Sequence, residues 1–152
     1  MQKTILITGA TDGIGLETSK ALVGLGHKLL LHGRNPAKLE AVSKALSSLT
    51  AGADTENYVA DLSDMAEVEA LAKAVAEKHS KLDVLINNAG VYSAPKPITK
   101  DGLDVRFAVN TIAPYLLTKR LLPLIESSGR VINLSSAAQA PVDPEASVGR
   151  VK

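Results

Sequence analysis

The chain has 152 residues, of which 45% are hydrophobic and 22% are charged, and its formal net charge is +1 at pH 7. That length fits one domain, and the balanced, interspersed charges argue against a nucleic-acid partner or an anionic membrane partner. The absence of cysteine excludes disulfides, thiolate catalysis and thiolate metal sites. No apolar run reaches the roughly 18 residues of a membrane span, and the first residues show no signal-peptide pattern, so we expect a cytoplasmic protein.

A glycine-rich turn follows the first predicted strand. Residues 5–7 form a short apolar run, and the sequence TGATDGIG at residues 8–15 leads from it into a helical pattern. A strand, a glycine turn and a helix N-terminus in this order make a site for a diphosphate, because the free N–H groups of the first helical turn point at the anion. Gly9 permits a tight turn, Gly13 permits the backbone to approach the phosphates, and Gly15 removes a side chain where helix and strand meet.

Strands and helices alternate along the rest of the chain. The further predicted strands are short apolar runs at residues 29–31, 58–60, 84–86 and 131–134. The further predicted helices lie at residues 36–49, 64–79 and 101–127. Asn35 caps the first of these helices, Asp64 and Glu67 form a capping box for the second, and Pro114 introduces a kink or register change in the third. Residues 51–57 and 140–152 are predicted as loops.

The pattern predicts an α/β fold with a doubly wound parallel sheet. The strands are continuous apolar runs, which indicates burial on both faces, and they alternate with helices. The expected strand order is 3-2-1-4-5, with a ligand crevice between the first and fourth strands. The turns at residues 8–15 and 87–90 meet at that crevice, and Asp61 and Ser135-Ser136 lie on the same rim. We therefore expect residues 1–152 to form a single dinucleotide-binding domain.

Four motifs in this order resemble the short-chain dehydrogenase/reductase family. They are TGATDGIG at residues 8–15, Asp-Leu at 61–62, NNAG at 87–90 and NLSS at 133–136. The sequence around the last motif is similar to that of the subgroup of retinol-dehydrogenase-like and WW-domain-oxidoreductase-like members. The resemblance implies cofactor contacts at Gly9, Thr11, Asp12, Gly13, Ile14, Gly15, Asp61, Leu62, Asn88, Ala89 and Gly90. It also implies that Ser136, and Asn110 in the preceding helix, are catalytic.

Each of these assignments has a structural alternative. Asp61 is also placed to cap a strand-to-helix turn, an asparagine such as Asn110 is usually solvated in a helix, and Ser136 also suits a turn. The three histidines, His27, His32 and His79, are interpreted as structural, because no pair of them has metal-ligand spacing. We therefore predict no metal site.

Arg34 indicates the nicotinamide cofactor. In such folds the end of the second strand lies beside the adenosine ribose, where a carboxylate binds the 2′-hydroxyl of NAD and an arginine pairs with the 2′-phosphate of NADP. Gly33 stands where the NAD-type acid is expected, and Arg34 follows it. The residues favour NADP over NAD, the alternative being a solvated loop arginine.

The family's Tyr-x-x-x-Lys pair is missing after the serine strand. In that pair the lysine lowers the tyrosine pKa, so that the tyrosine can exchange a proton with the substrate oxygen. Tyr115 and Lys119 have the right spacing but precede the serine strand, so we interpret Tyr115 as a packed residue. The final predicted strand would also leave an apolar sheet edge uncovered. We therefore expect the N-terminal, cofactor-binding part of a longer enzyme, truncated after the fifth strand and inactive by itself.

The resemblance implies an NADP(H)-dependent oxidoreductase that interconverts an alcohol and a carbonyl compound. Ser136 would stabilise the substrate oxygen, and Asn110 would support a water-linked proton path. One alternative is a non-catalytic module that binds or senses NADP. Another is an epimerase or dehydratase of the extended relatives, which expects a glycine where Asp12 stands. The expected partner is a small-molecule alcohol or carbonyl compound, with a homo-oligomer as a further possibility.

Overall fold

Five parallel strands form one sheet in the order β3-β2-β1-β4-β5, as predicted. The structure is a computed structural model that describes residues 1–138 and 141–148. The strands are β1 (Thr4–Ile7), β2 (Lys28–Gly33), β3 (Asp54–Val59), β4 (Val84–Asn87) and β5 (Arg130–Asn133). Because β1 pairs with both β2 and β4, the chain reverses its winding direction at β1. This reversal opens a crevice at the carboxyl ends of β1 and β4.

Helices connect the strands and cover both faces of the sheet. They are α1 (Gly13–Gly24), α2 (Pro36–Leu49), α3 (Met65–Lys78), α4 (Val105–Phe107), α5 (Ala113–Leu121) and α6 (Pro144–Ser147). A π-helical turn (Ala108–Ile112) joins α4 to α5, and a 3₁₀ turn (Leu122–Leu124) follows α5. Among the described residues no helix is long and apolar enough to cross a membrane.

The central strands divide their side chains between two apolar layers. In β1, Leu6 packs into the layer formed with α3 and α5, whereas Ile5 and Ile7 pack into the layer formed with α1 and α2. The strands β2 and β4 alternate in the same way. This two-sided burial explains why β1, β2 and β4 have apolar residues at consecutive positions.

The edge strand β3 departs from the sequence prediction. It begins at Asp54, so the predicted loop is wrong for residues 54–57, and the strand is polar rather than a continuous apolar run. An edge strand has only one neighbour, and polar partners stabilise this one. Glu56 accepts hydrogen bonds from Lys28 Nζ and Tyr58 Oη and lies 2.9 Å from His79 Nε2. Although burial favours the neutral acid, the bonds from His79, Lys28 and Tyr58 lower the pKa of Glu56 to about 2.

The crossover between β4 and β5 confirms a register change near Pro114. The Ala113 N–H bonds to the Ala108 carbonyl, five residues back, within the π-helical turn. Proline has no N–H for a helical bond to the residue four positions earlier, so the wider turn adapts the backbone to Pro114. The helix starts later than predicted, at Val105, because the Asp104 side chain caps it by accepting from the backbone N–H groups of Arg106 and Phe107.

The last described segment contains a second correction. Residues 144–147 form α6, whereas the sequence predicted a loop from 140 to 152. The Asp143 side chain accepts from the Glu145 N–H, and Pro144 occupies the first helical position, which together start a helix. Residues 140 and 149–152 of that predicted loop lie outside the described residues. The other edge strand, β5, begins at Arg130 and ends at Asn133, so Val131 and Ile132 are the apolar residues of the predicted run that lie in it, with Ile132 43% exposed.

Candidate cofactor and catalytic site

A crevice of about 350 Å³ lies at the carboxyl ends of the central strands. The predicted cofactor residues that line it are Gly9, Thr11, Asp12, Gly13, Ile14, Arg34, Asp61, Leu62, Asn88, Ala89 and Gly90. Further lining residues not proposed from the sequence are His32, Ser63, Val91, Ala94, Val105 and Val109. His32 and Ser63 adjoin predicted positions, so proximity in sequence could have indicated them. Val105 and Val109 come from a distant helix, and no sequence signal placed them here.

The glycine turn is shaped to receive an anion. Gly9 and Gly13 have φ values of +65° and +53°, in the left-handed region that side chains disfavour. A Cβ at Gly13 would have no heavy atom of the described chain within 4 Å, so this part of the turn faces open space. The Asp12 side chain makes no capping hydrogen bond within the described structure, whereas Asn35 caps α2. The first-turn N–H groups of α1 are therefore available for the diphosphate of a dinucleotide.

Gly15 does not line the crevice but positions the turn. A Cβ there would overlap the Gly9 carbonyl oxygen and would lie 2.5 Å from Asn88 Nδ2. The missing side chain allows α1 to approach β1 and the β4 exit, which agrees with the role predicted for this glycine.

Thr8 and Asn88 join the two turns that border the crevice. The Thr8 hydroxyl accepts hydrogen bonds from the backbone N–H groups of Asn88 and Ala89, both at 3.0 Å. In return, Asn88 Nδ2 donates to the carbonyl oxygens of Thr8 and Gly9, again at 3.0 Å each. These four bonds fix the glycine turn against the NNAG turn.

His32 holds the same turn from the side of β2. Its Nε2 lies 2.9 Å from the Ala60 carbonyl, which can only accept, so Nε2 carries the proton. The unprotonated Nδ1 then accepts from the Gly9 N–H at 3.2 Å. Burial lowers the pKa of His32 below its ordinary value of 6.5, the bond to Ala60 opposes this, and the charges of Arg34 and Asp61 act in opposite directions. The buried, neutral ring supports the prediction that His32 is structural.

We expect acid to destabilise the protein through His32. Because its folded-state pKa is depressed, the unfolded chain binds the proton more readily, so the free energy of unfolding falls as pH drops below about 6.5. Urea unfolding of the wild type and of His32→Gln at several values from pH 7.5 to pH 5 measures this contribution. The variant should show a flatter pH dependence in that range. Parallel curves for the two proteins would contradict the assignment to His32.

Arg34 and Asp61 both line the crevice. Arg34 is exposed and directly follows β2. Asp61 Oδ1 accepts from the Ser63 N–H at 2.9 Å, so Asp61 caps the strand-to-helix turn as well as lining the crevice. The predicted capping box is only half correct. Asp64 caps α3, but Glu67 accepts from the Asp61 N–H rather than from Asp64, because the backbone N–H of Asp64 bonds to the Asp61 carbonyl.

A second cavity adjoins the crevice through the NNAG turn and contains both predicted catalytic residues. Asn110 and Ser136 line it. Asn110 accepts from the Val91 N–H and donates to the Val91 carbonyl, both at 2.8 Å. Its amide therefore clamps the segment after NNAG, and its catalytic role stays a prediction. Ser136 Oγ accepts from the Ala138 N–H at 3.0 Å, and within the described part of the chain its hydroxyl proton has no acceptor, so it can donate.

Tyr115 is not packed as the sequence suggested. Its side chain is 66% exposed, and it lines the second cavity together with Ser136. The inward face of α5 is formed instead by Ala113, Leu117 and Leu121, which are buried. Lys119 Nζ lies over the Tyr115 ring, 5.9 Å from its centre.

The described histidine, aspartate and glutamate side chains form no group of three or more that could hold a metal ion. A dinucleotide fits this combination of a glycine turn, a free N-terminus of α1 and Arg34.

The relatives found by comparison with known proteins are consistent with one another. A family model described as short chain dehydrogenase matches residues 3–147. Human retinol dehydrogenase 13 is 36% identical over 138 residues, which cover 90% of this chain and 42% of that protein. Human polyprenol dehydrogenase is 35% identical, with 89% of this chain and 43% of that protein covered. The chain thus spans less than half the length of these curated relatives.

Solved structures show the same likeness. A metagenomic short-chain oxidoreductase in complex with NADP superposes with a TM-score of 0.78 at 35% identity, covering 92% of this chain and 64% of that one. A short-chain dehydrogenase from Sphingobium yanoikuyae in complex with NADPH gives a TM-score of 0.76 at 30% identity, covering 89% of this chain and 54% of that one.

Proposed function

Because this chain belongs to the short-chain dehydrogenase family, we propose that it binds NADP(H) and takes part in interconverting an alcohol and a carbonyl compound. One observation carries the proposal: the glycine turn, the free N-terminus of α1 and Arg34 border a single crevice. A bound nicotinamide would supply or accept the hydride of such a reaction.

Different residues of the crevice would bind different parts of the cofactor. Gly13 and the first turn of α1 would hold the diphosphate, because they present N–H groups without obstructing side chains, and Gly9 would let the chain turn beside it. Asp61 and Leu62 would border the adenine, and Arg34 would pair with the 2′-phosphate. The NNAG turn forms the opposite wall and leads directly to the second cavity.

Ser136 would act on the substrate in the second cavity. Its hydroxyl proton is free to donate to a substrate oxygen, and a hydrogen bond placed there stabilises the charge that develops on this oxygen. Asn110 would keep the wall between the two cavities in place through Val91. Retinol and polyprenol, which appear in the names of relatives, are the first alcohols to test as substrates.

Cofactor preference tests the proposal. Replacing Arg34 by alanine should weaken NADPH binding by about 1.5–3 kcal/mol, the range for hydrogen bonds to a charged group, while NADH binding changes little. Fluorescence titration of both cofactors measures the two dissociation constants. Lys38→Ala serves as a matched control, since Lys38 is an exposed lysine of α2 outside the crevice lining. Equal losses for NADPH and NADH in Arg34→Ala would contradict the 2′-phosphate assignment.

A second candidate function is a non-catalytic module that binds or senses NADP. The observation that favours it is the clamp of Asn110 on the Val91 backbone, which occupies one of the two predicted catalytic side chains. Carbonyl-dependent oxidation of NADPH distinguishes the two functions, because a sensing module binds NADPH without turnover. The cytoplasmic location and the homo-oligomer remain predictions.

A further inference from the structure

The bare α-carbon of Gly33 is enclosed by two side chains. A Cβ at this position would lie 2.7 Å from Thr11 Cγ2 and 3.3 Å from Leu39 Cγ. The φ angle of Gly33 is not in the left-handed region, so the backbone itself would accept any residue. Space, rather than conformation, therefore requires glycine at the end of β2.

Both neighbours are held in place. Leu39 is fully buried in the first half of α2. Thr11 belongs to the glycine turn, and this turn is tied to β2 by the Gly9 N–H on His32 Nδ1 and by the Ala10 N–H on the His32 carbonyl, at 3.2 and 2.9 Å. Of the three staggered positions of the Thr11 side chain, one directs the methyl group at Gly33, one directs the hydroxyl there, and only the third clears the space.

This enclosure bears on the choice of cofactor. An acidic side chain at the end of the second strand is the group that binds the ribose 2′-hydroxyl of NAD. Any such side chain at position 33 would have to pass between Thr11 and Leu39. Arg34, one residue later, is exposed and meets no such restriction.

We propose that Thr11 determines cofactor specificity, because its methyl group packs on Gly33 and excludes an NAD-type carboxylate from the end of β2. The inference rests on the proposed NADP(H) function and adds a residue of the glycine turn to the specificity determinants. Positions 11 and 33 are then energetically coupled, so that the effect of a substitution at one depends on the residue at the other. A carboxylate introduced at position 33 becomes useful only when the Thr11 methyl group is removed.

A double-mutant cycle tests this coupling. The proteins are the wild type, Thr11→Ser, Gly33→Asp and the double variant, and the measurements are the melting temperature without cofactor and the dissociation constants for NADPH and NADH. Gly33→Asp should lower the melting temperature by about 5 °C or more, as expected for overpacking, and should bind both cofactors more weakly. The melting temperature of the double variant should be close to that of Thr11→Ser. The double variant should also bind NADH at least about tenfold more tightly than Gly33→Asp does.

Two further pairs keep the test independent of the new charge and of folding failure. Thr11→Val keeps a methyl group at the contact, so Thr11→Val with Gly33→Asp should stay as impaired as Gly33→Asp alone. Gly33→Ala adds only the Cβ, and Thr11→Ser should restore its melting temperature as well.

The outcomes separate the inference from the function on which it rests. Gly33→Asp with wild-type stability and tight NADH binding, or no recovery when Thr11 becomes serine, would overturn the role of Thr11 while leaving the proposed function intact. A wild-type protein that binds neither cofactor would overturn the proposed function and this inference with it.

Discussion

Replacing Gly15 by alanine is expected to destabilise the fold by about 3 kcal/mol or more and to abolish binding of both NADPH and NADH. The new methyl group would overlap the Gly9 carbonyl oxygen and lie 2.5 Å from Asn88 Nδ2. Both contacts are with groups that fix the glycine turn, since Asn88 Nδ2 donates to the carbonyl oxygens of Thr8 and Gly9. The helix α1 must then move away from β1, and its N-terminal N–H groups move with it.

Thermal unfolding followed by circular dichroism, together with cofactor titration, measures the two effects. Gly24→Ala is the matched control, because Gly24 belongs to the same helix and an added Cβ would have no described heavy atom within 4 Å. This control should be neutral or stabilising by up to about 1 kcal/mol, as glycine disfavours a helix. A Gly15→Ala protein that melts and binds NADPH like the wild type would show that α1 does not need this close approach.

The sheet order and the glycine turn were predictable because their causes are local in the sequence. The strands β1, β2 and β4 are buried on both faces, and such burial demands consecutive apolar residues that can be recognised without knowing their neighbours. The left-handed conformations of Gly9 and Gly13 likewise follow from the turn itself. An edge strand lacks this signal, and β3 was predicted four residues short because Asp54 and Glu56 are polar strand residues paired with Lys28.

The remaining differences come from contacts between residues distant in the chain. The clamp of Asn110 on Val91 joins positions 19 residues apart, and nothing in the helical pattern indicates that this amide is occupied by backbone. Glu67 forms the expected kind of capping bond but with Asp61, which precedes the helix cap. The exposure of Tyr115 depends on which elements cover α5, a property of the tertiary structure that its own sequence does not contain.

Replacing Ser136 by alanine in the full-length protein should lower kcat for carbonyl reduction by about 100-fold, or about 2.7 kcal/mol, with the dissociation constant for NADPH nearly unchanged. The two quantities are expected to respond differently because Ser136 lines the second cavity and not the cofactor crevice. Its hydroxyl proton is free to donate to a substrate oxygen, and alanine removes that donor without disturbing the glycine turn. Steady-state kinetics with NADPH and a carbonyl substrate, combined with fluorescence titration of NADPH, measure the two quantities separately.

Two variants in the same cavity make the assignment specific. Ser135→Ala removes the neighbouring hydroxyl, which also lines the cavity, and should change kcat by less than about threefold. Tyr115→Phe should likewise retain activity, because the phenylalanine ring keeps the contact with Lys119, which lies over the ring. If both serine variants lose activity equally, the hydroxyl at position 136 has no special role. If Tyr115→Phe loses as much activity as Ser136→Ala, the exposed tyrosine of α5 is the proton donor, and the catalytic assignment moves to the face of the cavity formed by α5.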